Sequence, residues 1–143
     1  MHRSLRLSHP TEERKPADAL ARIEELLKEM AEAEDWPVTL TMQANLVLEE
    51  LVLNTFTHGH TGGLTAIELD LDSNDGGLTI SLTDDGAPFD PLADAPEPDL
   101  TLPLSERPIG GLGLHLVRTI GQDLEYRRDN DRNHLKLVIP SES

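Results

Sequence analysis

Three short stretches of the chain carry residues able to do chemistry. Within Leu46–His60, Glu50, Asn54 and His58 recur every fourth residue, so a helix there places them on one stripe. Leu46, Val47, Leu51, Val52, Leu53 and Phe56 make nearly everything around that stripe apolar. A carboxylate and an amide on so apolar a helix are costly unless something satisfies them, whether a loop of the fold or a ligand. Further on, Asp84-Asp85-Gly86 ends an alternating run, where a carboxylate can accept a hydrogen bond from the amino group of a base. An ordinary Asp-Gly turn is the plainer alternative. Gly110-Gly111-Leu112-Gly113 then opens a helical stretch. Glycines there let a ligand approach the backbone, and a helix N-terminus offers unpaired N–H groups to phosphate oxygens. A loop that merely turns has the same composition. No Lys-Ser/Thr pair follows, so this is not a Walker-type phosphate loop. Nor does it follow a first strand in a βαβ unit, as a dinucleotide fingerprint should.

The surrounding pattern predicts the elements that position these stretches. Residues 3–9 alternate weakly and end at Pro10, which suits a short edge strand. Ala17–Ala33 carries Leu20, Ile23, Leu26, Leu27 and Met30 at helical spacing, with Glu24, Glu25, Lys28 and Glu29 as a solvated face. Asp35-Trp36-Pro37 interrupts the pattern, and a second helix is expected over about 38–57. Two alternating runs, 64–72 and 77–83, flank Ser73-Asn74-Asp75-Gly76 and predict a hairpin. Residues 87–109 hold six of the ten prolines and no clear period, which marks a long functional or disordered loop. A helix over 112–120 and strands over 124–128 and 134–139, joined by a turn over 129–133, complete the chain. This order predicts a two-layer α+β sandwich: a mixed, mostly antiparallel sheet with three helices on one face.

Composition narrows the classes. The 143 residues suit a single domain, 1–143, with a core of Leu, Ile, Val and Ala, since only four residues are aromatic. A net charge of −15 argues against nucleic-acid and membrane partners, both of which are polyanionic surfaces. With no cysteine, disulfides and thiolate chemistry are excluded. No signal-peptide pattern and no apolar run of about 18 residues is present, so a soluble cytoplasmic protein is expected.

Taken in order, the three stretches resemble the ATP-binding domain shared by DNA gyrase, the heat-shock chaperone ATPase and sensor histidine kinases. More closely, the chain is similar to the small bacterial branch of that superfamily, the anti-sigma-factor serine/threonine kinases. The resemblance covers roughly Pro16 to Pro140. It is carried by Asp84–Pro91 (DDGAPFDP) and Arg107–Leu114 (RPIGGLGL), with Tyr126-Arg127-Arg128, Asn133 and Leu135 near the end.

That resemblance implies a histidine-kinase-like ATPase fold with ATP and Mg²⁺ as cofactors. It assigns Asn54 to Mg²⁺, Glu50 to the general base, Asp84 to the adenine amino group and Gly86 to close packing against the base. Residues 87–109 become a lid. Gly110, Gly111 and Gly113 serve the phosphates, with Leu112 and Leu114 packing behind, while His58 fixes a loop and Arg107 approaches the γ-phosphate. Two features depart from the pattern. The family's loop often reads Asp-x-Gly-x-Gly, and here Pro88 stands at the second Gly, which stiffens the adenine-side loop and lowers the expected affinity. The lid is acidic, with Asp94, Glu97, Asp99 and Glu106 against Arg107.

Two main readings follow. One is a kinase that phosphorylates a small anti-anti-sigma antagonist and also binds a sigma factor, by partner switching. The other keeps the fold without catalysis, as a nucleotide-binding or nucleotide-free module that sequesters a partner. A third, the detached catalytic domain of a histidine kinase, lacks a preceding phosphoacceptor hairpin. The resemblance also implies a homodimer.

Overall fold

The computed structural model describes residues 1–8, 16–59, 64–90 and 111–141, with backbone alone at 16, 58–59 and 111–114. Eight elements follow in the order β1 (His2–Ser8), α1 (Pro16–Glu34), α2 (Val38–Gly59), β2 (Ala66–Asn74), β3 (Gly77–Asp84), α3 (Gly111–Ile120), β4 (Gln122–Asp129) and β5 (Arg132–Pro140).

Helix α1 buries Ala19, Ile23, Leu27 and Met30, a stripe at helical spacing, and turns its acidic face to solvent. It stops at Asp35, whose φ of 54° is left-handed, while Trp36 N–H bonds back to the Ala31 carbonyl at 3.0 Å. Helix α2 restarts behind Pro37, whose carbonyl accepts from Leu40 and Thr41. It lies between α1 and α3 and sends Ala44, Val47, Leu48, Leu51, Val52 and Phe56 into the core. Leu46, read from sequence as part of the apolar surround, faces solvent with Val38 and Met42 on an outward stripe. Apolar residues lie on more than one side of this helix, and among the described residues the stripe of Val38, Met42 and Leu46 is left uncovered.

The five strands form one sheet in the order β1-β2-β3-β5-β4, antiparallel at every pairing. β1 is the edge strand that its weak alternation suggested, and only Leu7 of it is fully buried. The β2–β3 hairpin matches Leu69 with Leu82 and Leu71 with Ile80, so both apolar sets face the helices. The last hairpin is tighter than the sequence suggested. Asn130 and Asp131 both take left-handed φ, 53° and 60°, as a two-residue type I′ turn requires, and Asp129 pairs with Arg132. Asn133 therefore belongs to β5 and not to the turn. The result is the expected two-layer α+β sandwich. A single apolar core lies between sheet and helices, drawing on β1, β2, β3, β5 and all three helices.

Candidate functional site

Strand periodicity aims two polar residues at the core. In β3, Leu78, Ile80 and Leu82 point inward, and the next residue on that face is Asp84. In β5, Ile139, Leu137 and Leu135 point inward, and the next is Asn133. Since β5 lies beside β3, Asp84 and Asn133 are direct cross-strand partners. They close their apolar stripes at one end of the sheet, buried to 7% and 6% exposure.

A dense hydrogen-bond network holds that end. Asp84 Oδ1 accepts from Gly86 N–H at 2.9 Å and from Asn133 Nδ2 at 3.0 Å. Asn133 Nδ2 also donates to the Ala87 carbonyl at 2.8 Å, and its Oδ1 accepts from the Tyr126 hydroxyl at 2.5 Å and from Phe89 N–H at 3.4 Å. Arg128 Nη1 donates to the Gly86 carbonyl at 2.8 Å. Burial pushes the Asp84 carboxyl above the usual aspartate range, against the lowering effect of the Asn133 and Gly86 bonds. Asp85 has a different task. It accepts from Thr65 N–H at 2.8 Å, from Ala66 N–H at 3.1 Å and from the Thr65 hydroxyl, tying the loop to the start of β2. Its partial burial raises the carboxyl, but these bonds outweigh that and leave it below the usual range.

Opposite this network stands α2. Asn54 Nδ2 donates to the Glu50 backbone carbonyl at 2.7 Å, so the amide nitrogen is committed to the helix and the carbonyl oxygen is left as an acceptor. Asn54, Leu51 and Thr55 from α2, Asp84, Ala87 and Phe89 from β3 and its loop, and Tyr126 and Asn133 from the last hairpin line one small pocket. Its walls are apolar with a few convergent polar groups, the usual make-up of a small-molecule site. No lysine or arginine is among the described residues lining it. Glu50 lies one helical turn before Asn54, half-buried and outside the pocket wall. Burial, and then the neighbouring Glu49 carboxylate, push it above the usual glutamate range.

The donor set can be tested against Mg²⁺. Among the described residues no cluster of three or more His, Cys, Asp or Glu could hold a metal. Mg²⁺ does not need one, because it keeps several waters and takes one or two protein oxygens together with substrate phosphates. The Asn54 carbonyl oxygen at the pocket wall fits that mode.

Of the residues singled out by sequence, Asn54 and Asp84 line the pocket, Gly86 is buried in the adjoining loop, and Glu50 stands one turn away. Pro88 is exposed and outside the pocket wall. The loop's bonds to Asn133 come from Ala87 and Phe89 on either side of it. Gly111, Leu112, Gly113 and Leu114 form the first turn of α3, as expected, but their side chains lie outside the described residues, as does that of His58. Arg107, Gly110 and the lid from residue 91 onward lie outside them entirely. Sequence reasoning gave no site role to Asn133, Tyr126 or Arg128. The available signal was the period of two, which carries Asn133-Leu135-Leu137-Ile139 along the core-facing side.

Residues 13–139 match the histidine kinase-like ATPase domain family. The chain is also 36% identical over 103 residues to the serine/threonine-protein kinase BtrW of Bordetella bronchiseptica, covering 72% of this chain and 70% of that protein. Among the described residues, no helix is long and apolar enough to cross a membrane.

Proposed function

Because the chain belongs to the histidine kinase-like ATPase family, we propose that it binds ATP in the pocket between α2 and the β3–β5 end of the sheet and transfers the γ-phosphoryl to a serine or threonine of a partner protein. The observation that carries this reading is that the Asn54 carbonyl and the Asp84 carboxylate line one apolar pocket from opposite layers. Asp84 accepts from the adenine amino group through the oxygen not bonded to Asn133 and Gly86. The buried Gly86 lets the base lie against the backbone. Asn54 would hold Mg²⁺ through its carbonyl oxygen, and the ion would neutralise phosphate charge. The first turn of α3, with Gly111 and Gly113, gives N–H groups to the phosphates, and the resemblance assigns His58, Arg107, Gly110, Leu112 and Leu114 to the same nucleotide site. Glu50 takes the proton from the attacking hydroxyl. Phosphoryl transfer needs mainly positioning and charge neutralisation, so this small set suffices.

The likeness to the serine/threonine-protein kinase BtrW supports the serine/threonine kinase reading. The resemblance of the sequence motifs to anti-sigma-factor kinases extends it to a partner-switching system, with an anti-anti-sigma antagonist as phosphoacceptor and a sigma factor as the alternative partner. A homodimer and a cytoplasmic location belong to the same reading. Incubation with γ-labelled ATP and a candidate antagonist tests it: label on a serine or threonine of the antagonist supports transfer. A second reading, a nucleotide-binding module that sequesters its partner without catalysis, is favoured by the absence of any cation among the described pocket residues. Stable binding of the antagonist without label would select it.

A further inference from the structure

We propose that Asn133 is a positioning residue for base selection: by donating to Asp84 it keeps that carboxylate an acceptor, so that the pocket takes a 6-amino purine and refuses a 6-oxo one. This rests on the nucleotide reading above. Asn133 uses its whole amide. Both Nδ2 hydrogens are committed, to Asp84 Oδ1 and to the Ala87 carbonyl, and both Oδ1 lone pairs accept, from Tyr126 and Phe89. Two of these partners fix the orientation. The Phe89 N–H can only donate and the Ala87 carbonyl can only accept, so the amide cannot turn over without losing both bonds. The nitrogen is thereby held against Asp84, in a site where neither residue meets much water.

The consequence for the base is stereochemical. With Oδ1 receiving two donors, the second Asp84 oxygen is the atom left to meet a ligand, and ionised it can only accept. An adenine amino group satisfies it. The 6-oxo group of hypoxanthine sets an oxygen against an oxygen, and a site built for a hydrogen bond rejects the analogue that cannot make it. Replacing Asn133 with a carboxyl removes the donor and places two acids side by side. Such a pair shares a proton, and a protonated Asp84 can donate to the 6-oxo group.

The test compares the dissociation constants of ATP and ITP for the unaltered protein, Asn133→Asp and Tyr126→Phe, with a thermal melt of each. The unaltered protein should prefer ATP, and Asn133→Asp should reduce the ratio about tenfold or more. Tyr126→Phe, which removes one of the two donors to Asn133 Oδ1, should reduce it less. Equal weakening of both nucleotides by Asn133→Asp would overturn the proposal, because a residue that only tethers the loop predicts that result. So would a preference absent from the unaltered protein while it still binds ATP. Should Asn133→Asp fail to fold, Tyr126→Phe decides, and an unchanged ratio there overturns the proposal. If the unaltered protein binds neither nucleotide, the nucleotide reading itself falls, and this inference with it.

Discussion

Asn133 and Asp84 face each other across β5 and β3 as register partners, joined by a hydrogen bond of 3.0 Å from amide nitrogen to carboxylate oxygen. Each is the polar end of an otherwise apolar strand face, so the pair closes the core and lines the pocket at once. A buried carboxylate is tolerated there because its bonds are made in advance by Gly86 and Asn133.

The same geometry predicts the outcome of Asp84→Asn. Gly86 N–H and Asn133 Nδ2 both require an oxygen at the Oδ1 position, so the new amide must turn its nitrogen toward the base. Affinity for ATP should fall about tenfold or more, and affinity for ITP should rise relative to it. Titrating both nucleotides into the variant checks this, and an unchanged order of preference would contradict it.

Burial of Asp84 also sets a pH dependence. Its folded value lies above its unfolded one, so the folded state holds the proton more tightly. Stability therefore rises as pH falls from the folded value toward the unfolded one, and the cost of the buried charge is complete above the folded value. Binding of ATP runs the opposite way, weakening as Asp84 protonates. Urea unfolding and ATP titration across the acidic range should show these opposed slopes, and Asp84→Asn should lose its share of both.

Asp85 carries the opposite sign. Hydrogen bonds from Thr65 and Ala66 outweigh desolvation and hold its carboxyl low, so its stabilisation is present above the unfolded value and lost as pH falls through the folded one. Asp85→Ala leaves three donors at the start of β2 without their acceptor. It should cost about 1 kcal/mol in urea unfolding, a modest figure because the site is partly solvated. The ATP-to-ITP ratio should hold.

Glu50→Gln separates binding from chemistry. Glu50 is outside the pocket wall, so affinity for ATP should change little, while phosphate transfer should fall roughly 10²–10⁴-fold. Burial and Glu49 raise the Glu50 carboxyl, so the acid limb of the rate profile should lie above the ordinary glutamate range. Parallel loss of binding and transfer would contradict the role of general base.

Much of this arrangement was legible in the sequence, because local periodicity governs it. The period of four placed Glu50 and Asn54 on one stripe of α2, and the period of two in β3 ran directly into Asp84. What was not legible depends on contacts distant in sequence. Nothing local says that β5, and not β4, lies against β3, yet that order brings Asn133 to Asp84. The left-handed pair Asn130-Asp131 shortens the last turn and returns Asn133 to a strand, whereas so polar a run by itself suggests a turn over 129–133.

The central claim is that Asn54 and Asp84 bracket one bound nucleotide, with Mg²⁺ at the Asn54 end. Calorimetric titration of ATP with and without Mg²⁺, into the unaltered protein and Asn54→Ala, tests it most directly. The account predicts micromolar binding that Mg²⁺ strengthens in the unaltered protein, and binding that no longer responds to Mg²⁺ in the variant. No heat from well-folded protein, or an undiminished Mg²⁺ effect in Asn54→Ala, would contradict it.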